Sequence, residues 1–248
     1  MIKGLYKIFN HWHAEGSVWI ISDTHFADLD LAANIHCRPT AENQVKIINS
    51  HAGKADTLIH LGDVGNIDYV RKLRAKRKIL ICGNHDAGRT NYERRVEKIY
   101  YSKDLFTENE ALKDARNKYP GWKLTITEEW ETSLPKKYWI IECDNMLFDE
   151  VYEGPLMIAE KLILSHEPVN VPWAFNIHGH IHDPKCGNDK NHFNVCVDVN
   201  NYKPTNFNQW MKQGYLSKID TIHRTTIDKA TERKKKRGGK KIGEKNKK

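Results

Sequence analysis

No stretch of this 248-residue chain approaches the roughly 18 consecutive apolar residues that a membrane-crossing helix needs, so a helical membrane protein is excluded. The first sixteen residues carry two lysines but lack a continuous apolar segment and a small-residue cleavage site, and no secretory leader is expected. Cysteine is sparse. Cys37, Cys82, Cys143, Cys186 and Cys196 are widely spaced, and no CxxC pair points to a zinc ribbon or a redox motif. Reduced thiols in a cytoplasmic protein are the expectation. No internal repeat is evident.

What is present suits a globular chain: 39% hydrophobic and 29% charged residues, in a length that supports one sizeable α/β core. The formal net charge of +8 suggests a polyanionic partner until its distribution is examined. From Lys229 to Lys248 there are eleven Lys or Arg against two Glu, which accounts for the whole excess and leaves the preceding chain near neutral. The expected organisation is one domain over residues 1–228 and a disordered basic tail over 229–248. That tail offers at most weak, non-specific contact with a nucleic-acid backbone.

Val18 to Ile21 is a short apolar, β-branched run ending in polar SDTH, and TLIHLGD (Thr57 to Asp63) and KILICGNHD (Lys78 to Asp86) are again apolar runs that stop abruptly at Gly followed by polar residues. Helix-period stretches near Ala41 to His51 and Ile67 to Arg77 lie between them, giving a β-α-β-α-β order and a parallel sheet. Residues from about 89 to 143 are charged and aromatic, with a helix near Thr107 to Tyr119 and strands near Trp122 to Thr127 and Tyr138 to Glu142. We read them as an insertion, with Trp122, Trp130 and Trp139 packing its own core. The later runs, through LFDEVYEG, PLMIAEKLILSHEP, FNIHGHIHD and HFNVCVDVNNY, suggest a second, more antiparallel sheet.

Five of these runs end in ligand-type residues: Asp23-Thr24-His25, Gly62-Asp63, Gly83-Asn84-His85-Asp86, Ser165-His166 and Gly179-His180-Ile181-His182. One such motif alone is a turn or a structural histidine. Five together, gathered beyond one edge of one sheet, bury more carboxylates and imidazoles than a protein sustains without cations. The mixed Asp, His and Asn set suits divalent transition ions, and there are too many donors for one tetrahedral ion.

In this order the motifs resemble those of the calcineurin-like metallophosphoesterases, over most of residues 18 to 203. The resemblance implies an α/β fold with a four-layer α-β-β-α sandwich of two mixed sheets. It also implies two divalent ions, manganese, iron, zinc or nickel. Asp23, His25 and His182 would hold one ion and Asn84, His166 and His180 the other, with Asp63 shared. His85 would face the scissile phosphate as a proton donor. The implied reaction is hydrolysis of a phosphomonoester or phosphodiester, nucleotide-like or small, by water activated between the ions.

Two departures narrow the reading. Protein phosphatases of this superfamily follow their GD with a phosphate-gripping arginine, whereas Val64, Gly65, Asn66 and Ile67 follow Asp63 here. Where relatives read SDTHFGH this chain reads SDTHFADLD, so a helper histidine is missing. Arg38 and Arg89, with Arg94 and Arg95, are candidate phosphate contacts; His60, His178 and Asp183 are candidates to orient ligand imidazoles. The alternatives are a nuclease that uses the basic tail and a non-catalytic binding scaffold on the same fold. Steeply salt-dependent binding would mark the first, and loss of His85 or of a ligand would mark the second.

Overall fold

The computed structural model describes residues 16–35, 37–86, 91–127, 137–159, 161–219, 229, 231 and 232. The chain opens with β1 (Val18–Ile21), α1 (Leu29–Asn34), α2 (Ala41–His51), β2 (Thr57–His60) and β3 (Arg77–Ile81). There follow β4 (Val96–Ser102), α3 (Glu108–Lys118), β5 (Lys123–Thr127), β6 (Tyr138–Asp144) and β7 (Glu150–Tyr152). The last elements are β8 (Leu156–Ala159), β9 (Leu162–Leu164), β10 (Phe175–His178), β11 (His192–Asn194), β12 (Thr205–Asn206) and α4 (Phe207–Lys212).

The first sheet has the order β12-β1-β2-β3-β7, parallel throughout except for β12. Alternation along its strands splits the apolar residues between two faces. Val18, Ile20, Ile59, Ile79 and Ile81 turn towards Leu162, Leu164, Phe175 and Ile177 of a second sheet, ordered β11-β10-β9-β8. Ile21, Leu58 and Leu80 turn the other way, against Ala41, Val45 and Ile48 of α2. Each fully buried Leu or Ile contributes about 1.5–3 kcal/mol, so these two faces hold the strand ends in place. The clusters pack α2 on one face of the first sheet and the second sheet on the other.

Residues 96–144 add a third, antiparallel sheet, β4-β6-β5. Its helix α3 begins with a capping box between Thr107 and Glu110, and the small Ala111 and Ala115 let it settle on Tyr101, Ile141 and Cys143. Trp122 and Trp139 pack against this cluster, and Trp139 Nε1 donates to Phe106 O at 3.1 Å. Trp130 lies outside the described residues.

Three expectations are corrected. The stretch from Ile67 to Arg77 forms only a 3₁₀ turn at Val70–Lys72. Asn49 of α2 intercepts it, donating to Lys72 O at 2.9 Å and accepting from Arg74 N at 2.7 Å, so the backbone groups that would extend a helix are already used. The second sheet is mainly parallel, since β9, β10 and β11 run together and only β8 opposes them. Its connecting loops, residues 165–174 and 179–191, are long enough to return the chain to the same end. The LFDEVYEG run supplies β7 to the first sheet.

Candidate metal centre

The ligand-type residues follow the C-terminal ends of β1, β2 and β3 in the first sheet and of β9 and β10 in the second. The site therefore joins two sheet edges where one was expected. Bonds across the gap tie the two edges together: His180 N donates to Asp23 Oδ2 at 2.9 Å, Val197 N to Ser22 O at 3.1 Å, and His166 Nδ1 lies 2.8 Å from Leu61 O. Four of the residues have left-handed backbones, Asp23 (φ 59°), His25 (φ 37°), Asp63 (φ 56°) and His180 (φ 66°). Non-glycine residues enter that region at a cost and cluster there at functional sites.

Two glycines are needed for close approach. A Cβ on Gly179 would lie 2.0 Å from Ser22 Oγ and 2.4 Å from Asp23 Oδ2. A Cβ on Gly83 would lie 2.2 Å from Asp63 Oδ1.

All seven candidate ligands and His85 converge. Asp63 Oδ2 lies 3.4 Å from His25 Nε2, 3.3 Å from His166 Nε2 and 4.0 Å from His85 Nε2. Burial alone would raise the Asp63 carboxyl, but His166, His25 and the His85 N–H outweigh it and hold it well below the ordinary range. Burial alone would lower the His166 imidazole, but Asp63 and Asp23 outweigh it and raise it above the ordinary value. His166 Nδ1 donates to Leu61 O at 2.8 Å, so a neutral ring turns a bare Nε2 to the site. That nitrogen faces Asn84 Oδ1 at 2.9 Å, His180 Nδ1 at 3.1 Å and Asp63 Oδ2 at 3.3 Å. Lone-pair atoms this close need a proton or a metal ion among them.

Asp23 gives a second, independent indication. It is fully buried; Oδ2 accepts from His180 N at 2.9 Å, whereas Oδ1 has no hydrogen-bond partner. The nearest imidazole nitrogen, His182 Nε2, is 3.7 Å away, too far for a hydrogen bond. An unpartnered buried carboxylate oxygen costs free energy that a metal ion removes. Ligand atoms of Asp23, His25 and Asp63 form one compact group, and those of Asp63, His166 and His180 another, with Asp63 in both. The residues present therefore fit two ions that share Asp63.

Several supporting residues had no recognisable spacing in the sequence. Asp198 Oδ2 lies 2.6 Å from His182 Nδ1, turning Nε2 towards Asp23. Asp28 stands 3.3 Å from His25 Nδ1 in the same way and also caps α1 through Leu31 N. Carboxylates behind ligand imidazoles fix the tautomer and raise basicity. Asp86, in the GNHD motif, accepts from Asp63 N at 2.6 Å, Gly83 N at 3.0 Å, Val64 N at 3.2 Å and Tyr92 Oη at 3.0 Å, joining the two loops. Cys196 Sγ lies 3.6 Å from His182 Nδ1, the nitrogen already given to Asp198. Burial pushes its thiol far above the ordinary range, so it packs behind His182 as a neutral group.

Of the residues expected to orient ligands, His60 acts through the backbone. Burial pushes its imidazole down to about 4, and the neutral ring bonds Thr24 Oγ1 at 2.9 Å and accepts from Gly62 N at 3.2 Å. Both His178 nitrogens lie 2.8 Å from carbonyls, Gly179 O and Gly187 O, and the one N–H of the neutral ring donates to one of them. Asp183 caps its own turn through Lys185 N. Neither of the last two touches a ligand side chain.

Arg38 is corrected as a substrate contact. Its side chain is 2% exposed, paired with Asp198 and bonded to Asp23 O at 3.0 Å and Thr24 O at 2.8 Å, so no guanidinium edge faces the site. Arg94 is likewise taken, by Asp144 and Asp149. Arg89 lies outside the described residues.

With this geometry the sequence match becomes decisive: residues 17–200 match the calcineurin-like phosphoesterase superfamily domain. The chain belongs to that superfamily. Among solved structures, a protein of unknown function from Aquifex aeolicus is similar to this calcineurin-like chain, at 22% identity, with 79% of this chain and 98% of that one covered and a TM-score of 0.45. No curated protein matches. Among the described residues of this superfamily member, no helix is long and apolar enough to cross a membrane.

Proposed function

We propose that the chain is a metal-dependent phosphoesterase that cleaves a phosphomonoester or phosphodiester of a nucleotide-like or small organic molecule. The observation that carries this reading is the convergence on Asp63 Oδ2 of His25, His166 and His85, beside the unpartnered Asp23 Oδ1. Asp23, His25, His182 and Asp63 would hold one divalent ion, and Asn84, His166, His180 and Asp63 the other. Bound there, such ions supply water activation near neutral pH and neutralise charge on phosphoryl oxygens.

The protein's own part is positioning and proton transfer. Asp63 is ionised at neutral pH and presents one oxygen to both groups of imidazoles, while its other oxygen accepts from His85 N at 2.9 Å. That bond fixes the His85 loop over the site. The His85 ring, 64% exposed, stands edge-on to His25 with centroids 5.3 Å apart. An exposed imidazole beside the ligand cluster reaches a bound phosphate and can give a proton to the leaving oxygen. Asn84 and His180 are exposed on the same side, which leaves the cluster open to substrate.

Retention of His85 with all seven candidate ligands favours catalysis over a scaffold role. The test is hydrolysis of p-nitrophenyl phosphate and bis-p-nitrophenyl phosphate by metal-stripped protein with manganese, nickel, zinc or magnesium restored. Turnover should require metal, vanish in Asp63→Ala, and fall by about 10²–10⁴-fold in His85→Ala. Full activity in Asp63→Ala would refute the reading.

A further inference from the structure

A cleft of about 470 Å³ opens where the start of β3 meets the inserted sheet. β2 and β3 are parallel, and the candidate ligands follow their C-terminal ends. The cleft lies at the opposite ends, separated from Gly83 by the five residues of β3, or about 16 Å of strand. It belongs to a different region of the molecule from the metal centre.

Six basic side chains line it, Lys54, Arg74, Lys76, Lys78, Arg94 and Lys123, against one carboxylate, Asp149. That carboxylate is already engaged: Oδ1 by Arg94 Nη1 at 3.1 Å, and Oδ2 by the backbone N–H of Lys78 at 2.8 Å. Lys78 is the unusual member. It is 4% exposed, yet among the described residues its Nζ makes no hydrogen bond and no ion pair. Burial pushes its ammonium down from the ordinary lysine value, and nearby Asp149 only partly opposes this. The stem of Lys78 is buried while its ammonium opens to the cleft with no protein anion bonded to it, and an anion entering the cleft would pair with it.

We propose that this cleft binds the polyphosphate chain of a small ligand, inorganic or nucleoside-linked. Apart from Arg94, which is held by Asp144 and Asp149, the cations come from separate segments, at residues 54, 74–78 and 123, so a single phosphate would reach only some of them and a chain of phosphates spans them. The volume is that of a small-molecule site. A nucleic-acid duplex is disfavoured because its phosphates rest on exposed side chains and do not reach an amine that is 4% exposed. Leu73, Ala75 and Leu147, each 5% exposed or less, form an apolar wall beside the cations, suited to a sugar or base.

The test is calorimetric titration of the full metal-loaded chain with tripolyphosphate, ATP and orthophosphate. Tripolyphosphate should bind at one saturable site per chain, at least tenfold tighter than orthophosphate, and at least tenfold weaker in Lys78→Met. The rim variant Arg74→Ser/Lys123→Ser changes two exposed residues and keeps the proposal testable if Lys78→Met does not fold; it should show a similar loss. ATP binding tighter than tripolyphosphate assigns the nucleoside-linked source, and equal affinity assigns the chain alone. Wild-type affinity in the folded variants would assign the binding to the basic tail or the metal centre and overturn the proposal, as would the lack of saturable binding. p-Nitrophenyl phosphate turnover of the rim variant should equal wild type, which separates this proposal from the phosphoesterase reading.

Discussion

Asp198 shows how much of the centre rests on residues that bind no ion. It meets His182, Arg38 and Tyr202 Oη, the last at 2.6 Å, and its side chain is 3% exposed. Asp198→Asn should lower metal affinity by about 10–100-fold. It should also destabilise the fold by about 3 kcal/mol, because Arg38 is left buried without its anion. Isothermal metal titration and urea unfolding measure the two effects; an unchanged metal affinity would show that Asp198 does not orient His182. Gly179→Ala should cost about 100-fold in turnover, since the added methyl displaces Ser22 and Asp23 by ångström distances. At this scale the candidate ligands were legible because each follows an apolar run and three of the seven, Asp63, Asn84 and His180, sit beside Gly. Asp198, Asp28 and Asp86 were not assigned their parts because a carboxylate behind an imidazole or a turn has no fixed sequence spacing. Arg38 was misread because nothing in sequence separates an arginine that pairs in the interior from one that meets phosphate.

At the scale of elements, the strand ends were readable and the partners of the strands were not. An apolar run of three or four residues does not encode which neighbour it joins, so β7 and the direction of the second sheet had to come from tertiary packing. Arg94 illustrates the same point for the insertion. It bonds both Asp144 at the end of β6 and Asp149 ahead of β7, pinning the inserted sheet to the main one. Burial alone would raise the Asp144 carboxyl, but bonds from Arg94 and Met146 N outweigh it and hold it below the ordinary value. The stabilisation is therefore present above the ordinary carboxylate range and is lost as pH falls through it. Arg94 is 44% exposed, so Arg94→Met should cost only about 1 kcal/mol at neutral pH. In thermal melts its difference from wild type should shrink as pH falls from about 5 towards 2. A difference independent of pH would exclude the ion pair as its source.

For the whole molecule, ions that bind only the folded chain add to its stability. At a hundredfold excess over Kd, manganese should contribute about 2.7 kcal/mol, a rise in Tm of roughly 5–10 °C for a chain of this size. Asp63→Ala should lose most of that rise, and an equal rise in both proteins would place the ions elsewhere. A mixed α/β fold was legible from the alternation of apolar runs with helix-period stretches. The facing of two sheets across one site was not, because the residues that close it lie far apart in the chain.

That separation bears on how the protein is made. His180 N reaches Asp23 Oδ2 across 157 residues, and Asp198 stands behind both sheets' contributions. A nascent chain extended as far as Ser165 has synthesised Asp23, His25, Asp63 and Asn84 but none of the three remaining histidines. On the proposed reading, then, the pocket of Asn84, His166 and His180 lacks a ligand on the ribosome until His180 has been made, that of Asp23 and His25 lacks one until His182 has, and metal acquisition belongs to the later part of synthesis.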